Sequence, residues 1–339
     1  MLVFGCATPI GELPEGSSTG VAAKIPGELP EELQVLEYPE LDLSPLSETV
    51  CLDGRTLEPM SVVELIERAR TADVVLIGEY HGQEEGLAAS AALWQALVKR
   101  YEGEDKEEAG GLASSKEVAN ETGPTLALEF IERDEQLELD DWLAAEELTE
   151  PEDFSFAHGA MLLESKRAGR PVIAANAPRR YVRMARTRGY DHLRAMTATQ
   201  RATFVLPGDG DVPEPSAGYR DRFFELFGGG GGHEGGMTLE QIESFWRAQI
   251  VWDATMADSV VRGLSSGDCP VVLVVGRFHT AYDGGIPQVL RALRPDAEVF
   301  SVVMAREDEI EELKTELQTP PIGDAVWVLR ELPSVKPES

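Results

Sequence analysis

The sequence predicts an α/β fold in which a mostly parallel central sheet is covered by helices on both faces. Short runs of apolar, often β-branched residues recur along the chain, as is typical of strands buried on both sides. Amphipathic helical segments alternate with these runs, which favours parallel strands joined by helical crossovers. Several runs also end in polar residues, and the carboxyl ends of such strands are where open α/β sheets bind ligands.

The composition fits a globular protein and argues against nucleic acid as a partner. The chain has 339 residues, of which 42% are hydrophobic, and its formal net charge is −31. A surface of that charge repels phosphate backbones. No run approaches the ~18 apolar residues that a membrane span needs. The three cysteines have no metal-binding spacing and suggest no disulfide framework.

Residues 1–50 are predicted to be an N-terminal tether that precedes one α/β domain over residues 51–332. The tether is rich in Pro, Gly, Ser and Glu and has no sustained period. Its first residues, MLVFGCA, resemble the end of a lipoprotein signal, in which a small residue precedes the lipidated cysteine, here Cys6. The basic start and most of the apolar region of such a signal are missing. We therefore keep two expectations, a lipid anchor at Cys6 and an ordinary cytoplasmic start.

The first part of the domain begins with a helix, a strand and a second helix. Ser61 is the expected N-cap of the first helix, because Glu64 three residues later completes a capping-box pattern. The strand covers Val74 to Ile77, and an amphipathic helix follows from Gln83 to Arg100. Residues 102–123 are acidic and then rich in Gly and Ser, so we expect a disordered surface insertion there.

Two more strands are predicted in the middle of the chain, at Thr125 to Phe130 and at Pro171 to Ala175. Between them lie a helix that ends near Ala145 and another from about Phe156 to Ala168. The helix after the second strand is basic, with three arginines on one face at Arg179, Arg183 and Arg186. These arginines either pair with acidic neighbours or hold an anionic group at the helix N-terminus.

The last part of the chain is predicted to contain a second insertion and then more alternating helices and strands. Residues 207–237 form either a flap that carries an amphipathic piece at Tyr219 to Phe227 or a disordered segment. A long helix is expected from Met237 to Leu264. The remaining predicted elements are strand Val271 to Val275, helix Gln288 to Leu293, strand Glu298 to Val303, a helix near Glu307 to Leu317, and strand Ala325 to Leu329.

Polar side chains collect where four of these strands end. Two strands are followed by the same Gly-x-x-His pattern, which provides His81 and His279. Because parallel strands end at one edge of a sheet, we expect these side chains to share a pocket. The remaining members of the set are Glu79, Tyr80, Glu129, Asn176, Arg179 and Tyr282. The other three histidines, His158, His192 and His233, are assigned to the surface.

Two chemistries fit this set, and residue spacing does not choose between them. In the first, His81, His279 and Glu129 (or Glu79) hold a divalent metal such as Zn or Mn, which is a hydrolase arrangement. Glu79 is then the candidate catalytic general base. In the second, a phenol or an imidazole ligates haem iron and Arg179 or Arg180 meets a propionate.

Five segments of the chain occur in an order that matches a known family. They are residues 76–81 (LIGEYH), 128–136 (LEFIERDEQ), 172–179 (VIAANAPR), 252–257 (WDATMA) and 276–287 (GRFHTAYDGGIP). In these segments the chain resembles the ChaN-like haem-binding uptake proteins of the Tiki superfamily, over about residues 60–295. The resemblance implies a ChaN-like α/β fold with a helical insertion.

The resemblance also implies what such a protein does. Members are typically lipoproteins of the bacterial cell envelope that act in haem or iron uptake, which agrees with a lipid anchor at Cys6 outside the cytoplasm. One member packs haems face to face in a dimer with tyrosine as the iron ligand, so a non-enzymatic haem-binding protein and a homodimer are expected. Relatives elsewhere in the superfamily are metal-dependent proteases or esterases, and the hydrolase alternative therefore stays open.

The family pattern assigns residues to the expected haem site. Tyr282 falls on the pattern Gly-x-x-His-x-x-Tyr-Gly, so it is preferred over Tyr80 as the iron ligand, although Asp283 replaces the usual glycine. Three further residues of the matching segments are assigned to the haem pocket, namely Arg179, Asn176 and Met256.

Overall fold

The structure, a computed structural model, describes residues 44–108, 123–145, 158–228, 237–267, 269–315 and 320–330. They belong to one compact unit, Leu41–Ser339. Cys6 and most of the predicted tether lie outside the described residues, as do 109–122 and 229–236 of the two predicted insertions. The domain limits at residues 50 and 332 therefore stay a prediction.

A seven-stranded sheet forms the centre, with the strand order β1-β7-β6-β2-β5-β3-β4. The strands are β1 Val50–Asp53, β2 Val74–Glu79, β3 Thr125–Glu132, β4 Val172–Asn176, β5 Val271–Gly276, β6 Val299–Arg306 and β7 Ala325–Leu329. All neighbours are parallel except β1 and β7, which pair antiparallel. The predicted mostly parallel sheet is confirmed, and the antiparallel β1 is an addition that the sequence analysis missed.

Twelve helices surround the sheet in the described residues. They are α1 Ser44–Glu48, α2 Val62–Thr71, α3 Glu84–Glu108, α4 Gln136–Ala144, α5 Gly159–Ala168, α6 Arg179–Arg188, α7 Tyr190–Arg194, α8 Ala198–Arg201, α9 Ala217–Gly228, α10 Leu239–Ser265, α11 Ile286–Leu293 and α12 Glu307–Thr315.

Ser61 caps α2 as predicted, accepting from the Glu64 N–H at 3.2 Å. The disorder predicted from residue 102 is wrong up to Glu108, because α3 continues that far. That residues 102–123 are an insertion stays a prediction. None of these helices is long and apolar enough to cross a bilayer.

Alternate residues of the central strands pack against two different helical layers. On β2, Val75 and Ile77 join the apolar cluster of α2, α3, α4 and α5, whereas Val74 and Leu76 join the cluster of α10 and α11. Both faces of the sheet are therefore covered, which explains why its strands are almost continuously apolar. Beyond β2, the strands β1, β6 and β7 share a third apolar cluster with α12.

Both outer strands of the sheet have backbone groups that are already bonded. At the β4 edge, the Gln136 side chain donates to the Val172 carbonyl at 2.9 Å and accepts from the Ala174 N–H at 2.8 Å. At the β1 edge, the Met60 N–H donates to the Cys51 carbonyl at 2.9 Å. Unpaired strand edges are templates for another chain, and here part of each edge is covered from within the chain.

The carboxyl ends of β2, β5 and β3 lie side by side and form the base of the candidate site. Glu79 at the end of β2 is in register with Gly276 at the end of β5. The pairing of β3 with β4 is irregular between Leu128 and Glu132, which frees Glu129 from regular strand pairing. Glu129 is therefore positioned where β2 and β5 end.

Candidate functional site

His81 and His279 lie on either side of the Glu129 carboxylate. The Nε2 atom of His81 is 4.0 Å from Oε2 of Glu129, and the Nε2 atom of His279 is 3.7 Å from Oε1. The structure thus brings together the two histidines and the carboxylate that the sequence analysis placed at one edge. Within the described ranges, no group of three or more His, Cys, Asp or Glu side chains has the geometry of a metal site. Their role as metal ligands stays a prediction.

The glycine of the second Gly-x-x-His pattern makes room for this approach. The Gly276 N–H donates to Oε2 of Glu129 at 2.6 Å. A Cβ atom at this position would lie 2.8 Å from Nε2 of His81 and 3.5 Å from Oε2 of Glu129. The φ of Gly276 is −55°, which any residue adopts. The glycine is therefore needed because of side-chain crowding and not because of its backbone conformation.

A second carboxylate holds each histidine from behind. Nδ1 of His81 lies 3.2 Å from Oε1 of Glu79, and Nδ1 of His279 lies 2.6 Å from Oδ1 of Asp253. With Nδ1 as the donor in both bonds, both rings direct Nε2 towards Glu129. Burial lowers the pKa of His279, but the Asp253 carboxylate outweighs it and the pKa ends above its usual range. Burial also lowers the pKa of His81. The carboxylates Glu79 and Glu129 raise it by more, so this pKa too ends above its usual range.

His158 belongs to this site, so its assignment to the surface is wrong. Its side chain is 1% exposed, and Nε2 lies 3.1 Å from Oε2 of Glu79. Its ring also stacks on Phe130, with centroids 4.5 Å apart. Burial raises the pKa of Glu79, but the hydrogen bonds with His158 and His81 lower it by a larger amount. The pKa of Glu79 therefore lies below its usual range. Both oxygens of Glu79 are engaged, which suits a residue that positions two histidines better than a general base.

Helices α9 and α10 add two more polar residues that the sequence analysis did not assign to the site. The Tyr219 hydroxyl donates to Oδ2 of Asp253 at 2.9 Å. The side-chain amide of Gln249 donates to the Tyr219 oxygen at 2.9 Å and lies 3.0 Å from Nδ1 of His279. Gln249 and Asp253 are buried polar residues four apart on an otherwise apolar helix face, a pattern that could have identified them.

The polar residues form one continuous chain that crosses the edge of the sheet. It starts at α5 beside β2 and ends at α10, in the other helical layer. Its members, in order, are His158, Glu79, His81, Glu129, His279 and Asp253, with neighbouring members between 2.6 and 4.0 Å apart. We call this set the histidine–carboxylate chain.

Tyr80 lies in a different cluster, around Arg277 and Glu309. Its hydroxyl donates to Oε1 of Glu309 at 2.6 Å and accepts a hydrogen bond from Arg277. Arg277 in turn pairs with Oε2 of Glu309 at 2.7 Å. Burial raises the pKa of Tyr80, and Arg277 only partly offsets that effect. The phenol oxygen of Tyr80 is therefore already occupied.

Tyr282 lies beside the same cluster in an unusual backbone conformation. Both Tyr282 (φ 55°) and Asp283 (φ 54°) are left-handed, a conformation that is uncommon outside glycine. Asp tolerates it better than most residues, which explains how Asp283 can replace the usual glycine. Within the described part of the chain, the Tyr282 hydroxyl makes no hydrogen bond. It lines a cavity of about 110 Å³ together with Arg277, Glu309, Glu312, Leu313 and Ile322.

Comparison with known proteins identifies the family of the chain. A sequence model matches residues 65–290 of the chain. It represents the family described as "Haem-binding uptake, Tiki superfamily, ChaN". The chain belongs to this family. The resemblance stated from the five segments is thereby confirmed. No curated protein matches the sequence.

A solved structure of ChaN shows the same fold. ChaN of Campylobacter jejuni, in a structure of its cofacial haem binding, has a TM-score of 0.57 at 18% identity, over 82% of this chain and 96% of that one. Two other structures are less similar. A Bacillus cereus protein has a TM-score of 0.38 at 12% identity, over 73% of this chain and 70% of its own. The type III effector HopBA1 has a TM-score of 0.33 at 12% identity, over 71% and 81%.

Three residues that the family pattern assigned to the haem pocket make contacts with residues other than Tyr282. Arg179 is exposed and pairs with Glu132 at 3.2 Å. Asn176 accepts from the neighbouring Ala177 N–H at 2.8 Å. Met256 is fully buried in the apolar cluster between α10 and the sheet. Their assignment to a ChaN-type haem pocket stays a prediction.

Of the two remaining histidines, only His192 lies within the described residues. His192 on α7 is exposed, as predicted. His233 lies outside the described residues. Of the basic helix α6, Arg180 pairs with Asp134 and Arg186 lies over the Phe245 ring at 3.7 Å, so part of the arginine cluster has partners of its own.

Proposed function

We propose that this protein binds haem, with Tyr282 as the iron ligand, and that it serves haem or iron uptake in the bacterial cell envelope. Membership of the haem-binding uptake family supports the ligand class and the location. A lipid anchor at Cys6 is part of the same proposal. The observation that carries the choice of residue is the Tyr282 phenol, which lines a cavity and has no hydrogen-bond partner within the described residues.

The donor chemistry at this position fits haem. Phenolate is one of the side-chain ligands that haem iron accepts in proteins. Bound haem would supply a ferric iron, and Tyr282 would hold it through its phenol oxygen. Of the two candidate tyrosines, Tyr80 already has its hydroxyl bonded to Glu309 and Arg277, so Tyr282 is the better donor.

A haem bound at this cavity would lie largely at the surface, because the cavity is small. Its volume of about 110 Å³ is well below the roughly 300–1,000 Å³ of pockets that enclose a ligand. A porphyrin held here by Tyr282 would leave much of its ring uncovered. A second copy of this chain would cover that ring, and a homodimer is therefore included in the proposal.

Haem titration of two matched tyrosine variants tests the proposal. We expect wild-type protein to shift the Soret band of added haem. Tyr282→Phe should weaken the affinity by about tenfold or more, which corresponds to about 1.4 kcal/mol, because it removes the iron ligand. Tyr80→Phe serves as the control, and its affinity should stay within about threefold of wild type. An unchanged spectrum with wild-type protein would contradict haem binding, and equal losses in the two variants would contradict the choice of Tyr282.

A second candidate function, a metal-dependent hydrolase, is favoured by the way the two histidines are held. Each has its Nδ1 atom held by a carboxylate and its Nε2 atom directed towards Glu129. Outer carboxylates of this kind orient histidines in many zinc sites. In this reading His81, Glu129 and His279 would hold a divalent Zn or Mn ion, which would supply an activated water.

Metal analysis of protein prepared without chelator distinguishes this second function. Near-stoichiometric Zn or Mn that is lost in His279→Ala but retained in His192→Ala would support it. His192→Ala is the control, because His192 is exposed and is not one of the three proposed ligands. Protein that contains no metal and takes none up from added Zn or Mn would remove this candidate and leave the haem proposal untouched.

A further inference from the structure

Arg222 is a half-buried arginine that α9 places against the proposed iron ligand. Tyr219 and Phe223 of α9 are buried in an aromatic cluster with Trp246 and Phe278, which fixes the helix on the rest of the chain. From there the guanidinium of Arg222 lies 5.2 Å from the ring centroid of Tyr282.

The hydrogen-bonding capacity of Arg222 is largely unused. Its Nη2 atom donates to the Tyr282 carbonyl at 3.4 Å, and within the described residues this long bond is the only one that it makes. A guanidinium has five N–H donors in a fixed fork that matches a carboxylate. Most of those donors are thus available to a ligand that approaches Tyr282.

Arg222 also lacks the carboxylate that its neighbours have. Arg220 on the same helix pairs with Glu243, Arg277 pairs with Glu309, and Arg291 pairs with Asp283. No ion pair of Arg222 occurs among the described residues, although the chain carries twice as many acidic as basic residues. Burial lowers the pKa of Arg222, and the groups that raise it are the phenols of Tyr219 and Tyr282. Binding of an anion stabilises a half-buried cation that has no carboxylate partner.

We infer that Arg222 binds a carboxylate of the ligand, namely a propionate of the porphyrin whose iron Tyr282 ligates. The inference rests on the proposed haem function and adds specificity to it: the site selects porphyrins that carry free carboxylates. One residue, Tyr282, would thus be in contact with both the iron and the arginine that holds the rim of the ring. The propionate supplies the negative charge that the described surroundings of Arg222 lack.

Titration of the full chain with haem and with haem dimethyl ester, in the same detergent-containing buffer, tests this. The ester lacks the two negative charges of the propionates and carries a methyl group on each. Wild-type protein should prefer haem by about tenfold, the effect of one charge-assisted pair. Arg222→Gln should lose about tenfold in affinity for haem and stay within about twofold for the ester, so that the preference disappears. Arg222→Lys should recover part of it, because it restores the charge without the fork.

Arg220→Gln is the matched control, since Arg220 lies two residues away on α9 but has Glu243 as its partner. It should keep the wild-type preference for haem. A preference that survives in Arg222→Gln, or equal losses for both ligands, would overturn the role of Arg222 while leaving haem binding in place. Wild-type protein that binds neither ligand would overturn the proposed function and this inference together, and the absence of any Soret shift would identify that case.

Discussion

At the scale of single residues, Glu79 shows how a buried charge is kept in this protein. The residue is 2% exposed at the end of a strand whose other members are buried. Its two oxygens are bonded to different histidines, one from the loop after β2 and one from the start of α5. An unpaired carboxylate would be costly here, and the pair of histidines supplies the compensation.

His158→Ala should therefore lower the free energy of unfolding by about 3 kcal/mol, because Glu79 loses one of two partners in a buried position. Urea denaturation followed by circular dichroism measures this. His192→Ala, at an exposed site, should change stability by less than about 0.5 kcal/mol. Combining His158→Ala with Glu79→Gln should cost less than the sum of the two single changes. A loss below about 1 kcal/mol in His158→Ala would show that Glu79 does not depend on this partner.

At the scale of elements, β1 shows what sequence patterns miss. Its four residues follow a stretch without period, and their burial changes from exposed to buried to half-buried along the strand. Neither the alternation nor the continuous apolar run that identified the other strands is present. What places β1 is its pairing with β7, from Val50 with Val328 to Asp53 with Ala325, and that contact is distant in sequence.

The reactivity of Cys51 tests whether β1 stays docked in solution. Burial raises the pKa of its thiol to about 12. Compared with a free cysteine of pKa about 8.5, thiolate formation at pH 8 falls roughly 10³-fold, and alkylation by iodoacetamide should slow accordingly. The rate is measured in a Cys6→Ser, Cys269→Ser variant, with the same protein in urea as the unfolded control. Alkylation at the free-thiol rate in the folded protein would mean that β1 detaches readily.

Much of the site could be predicted because it follows the central strands. The buried runs at β2, β3 and β5 fixed where His81, Glu129 and His279 would meet. His158 could not be found this way, since it precedes α5 and belongs to no periodic pattern. The tyrosines were grouped with the histidines by sequence position, yet the contacts of Tyr80 and Tyr282 are with the residues around Arg277 and Glu309. The direction of the backbone within a short turn decides which cluster each tyrosine joins, and residue spacing alone does not predict that direction.

At the scale of the whole molecule, the histidine–carboxylate chain joins two helical layers that the sheet otherwise separates. One layer contributes His158 through α5, and the other contributes Asp253 through α10. A displacement of either helix relative to the sheet would break a bond in this chain. We therefore expect α5 and α10 to be coupled in stability through polar contacts as well as through the apolar core.

The net charge of −31 gives a prediction for the whole molecule. Self-repulsion of this size destabilises a compact fold, and dissolved salt screens it. The thermal midpoint should therefore rise with sodium chloride and level off near about 0.2 M, where the screening length has fallen below about 8 Å. Sodium acetate at the same ionic strength should give the same curve. A midpoint that is independent of salt below about 0.2 M would show that the acidic residues do not repel one another appreciably.

The bonded edges of the sheet restrict how two copies of this protein can associate. Gln136 substitutes for an eighth strand at β4, and Met60 bonds to the outer side of β1. An incoming strand would have to displace these groups before it could extend the sheet. Lateral fusion of sheets is thereby disfavoured, and two copies would have to meet through helix and loop side chains. An interface of that kind can separate and re-form without any change in the strands, which would let a ligand held between the subunits enter and leave.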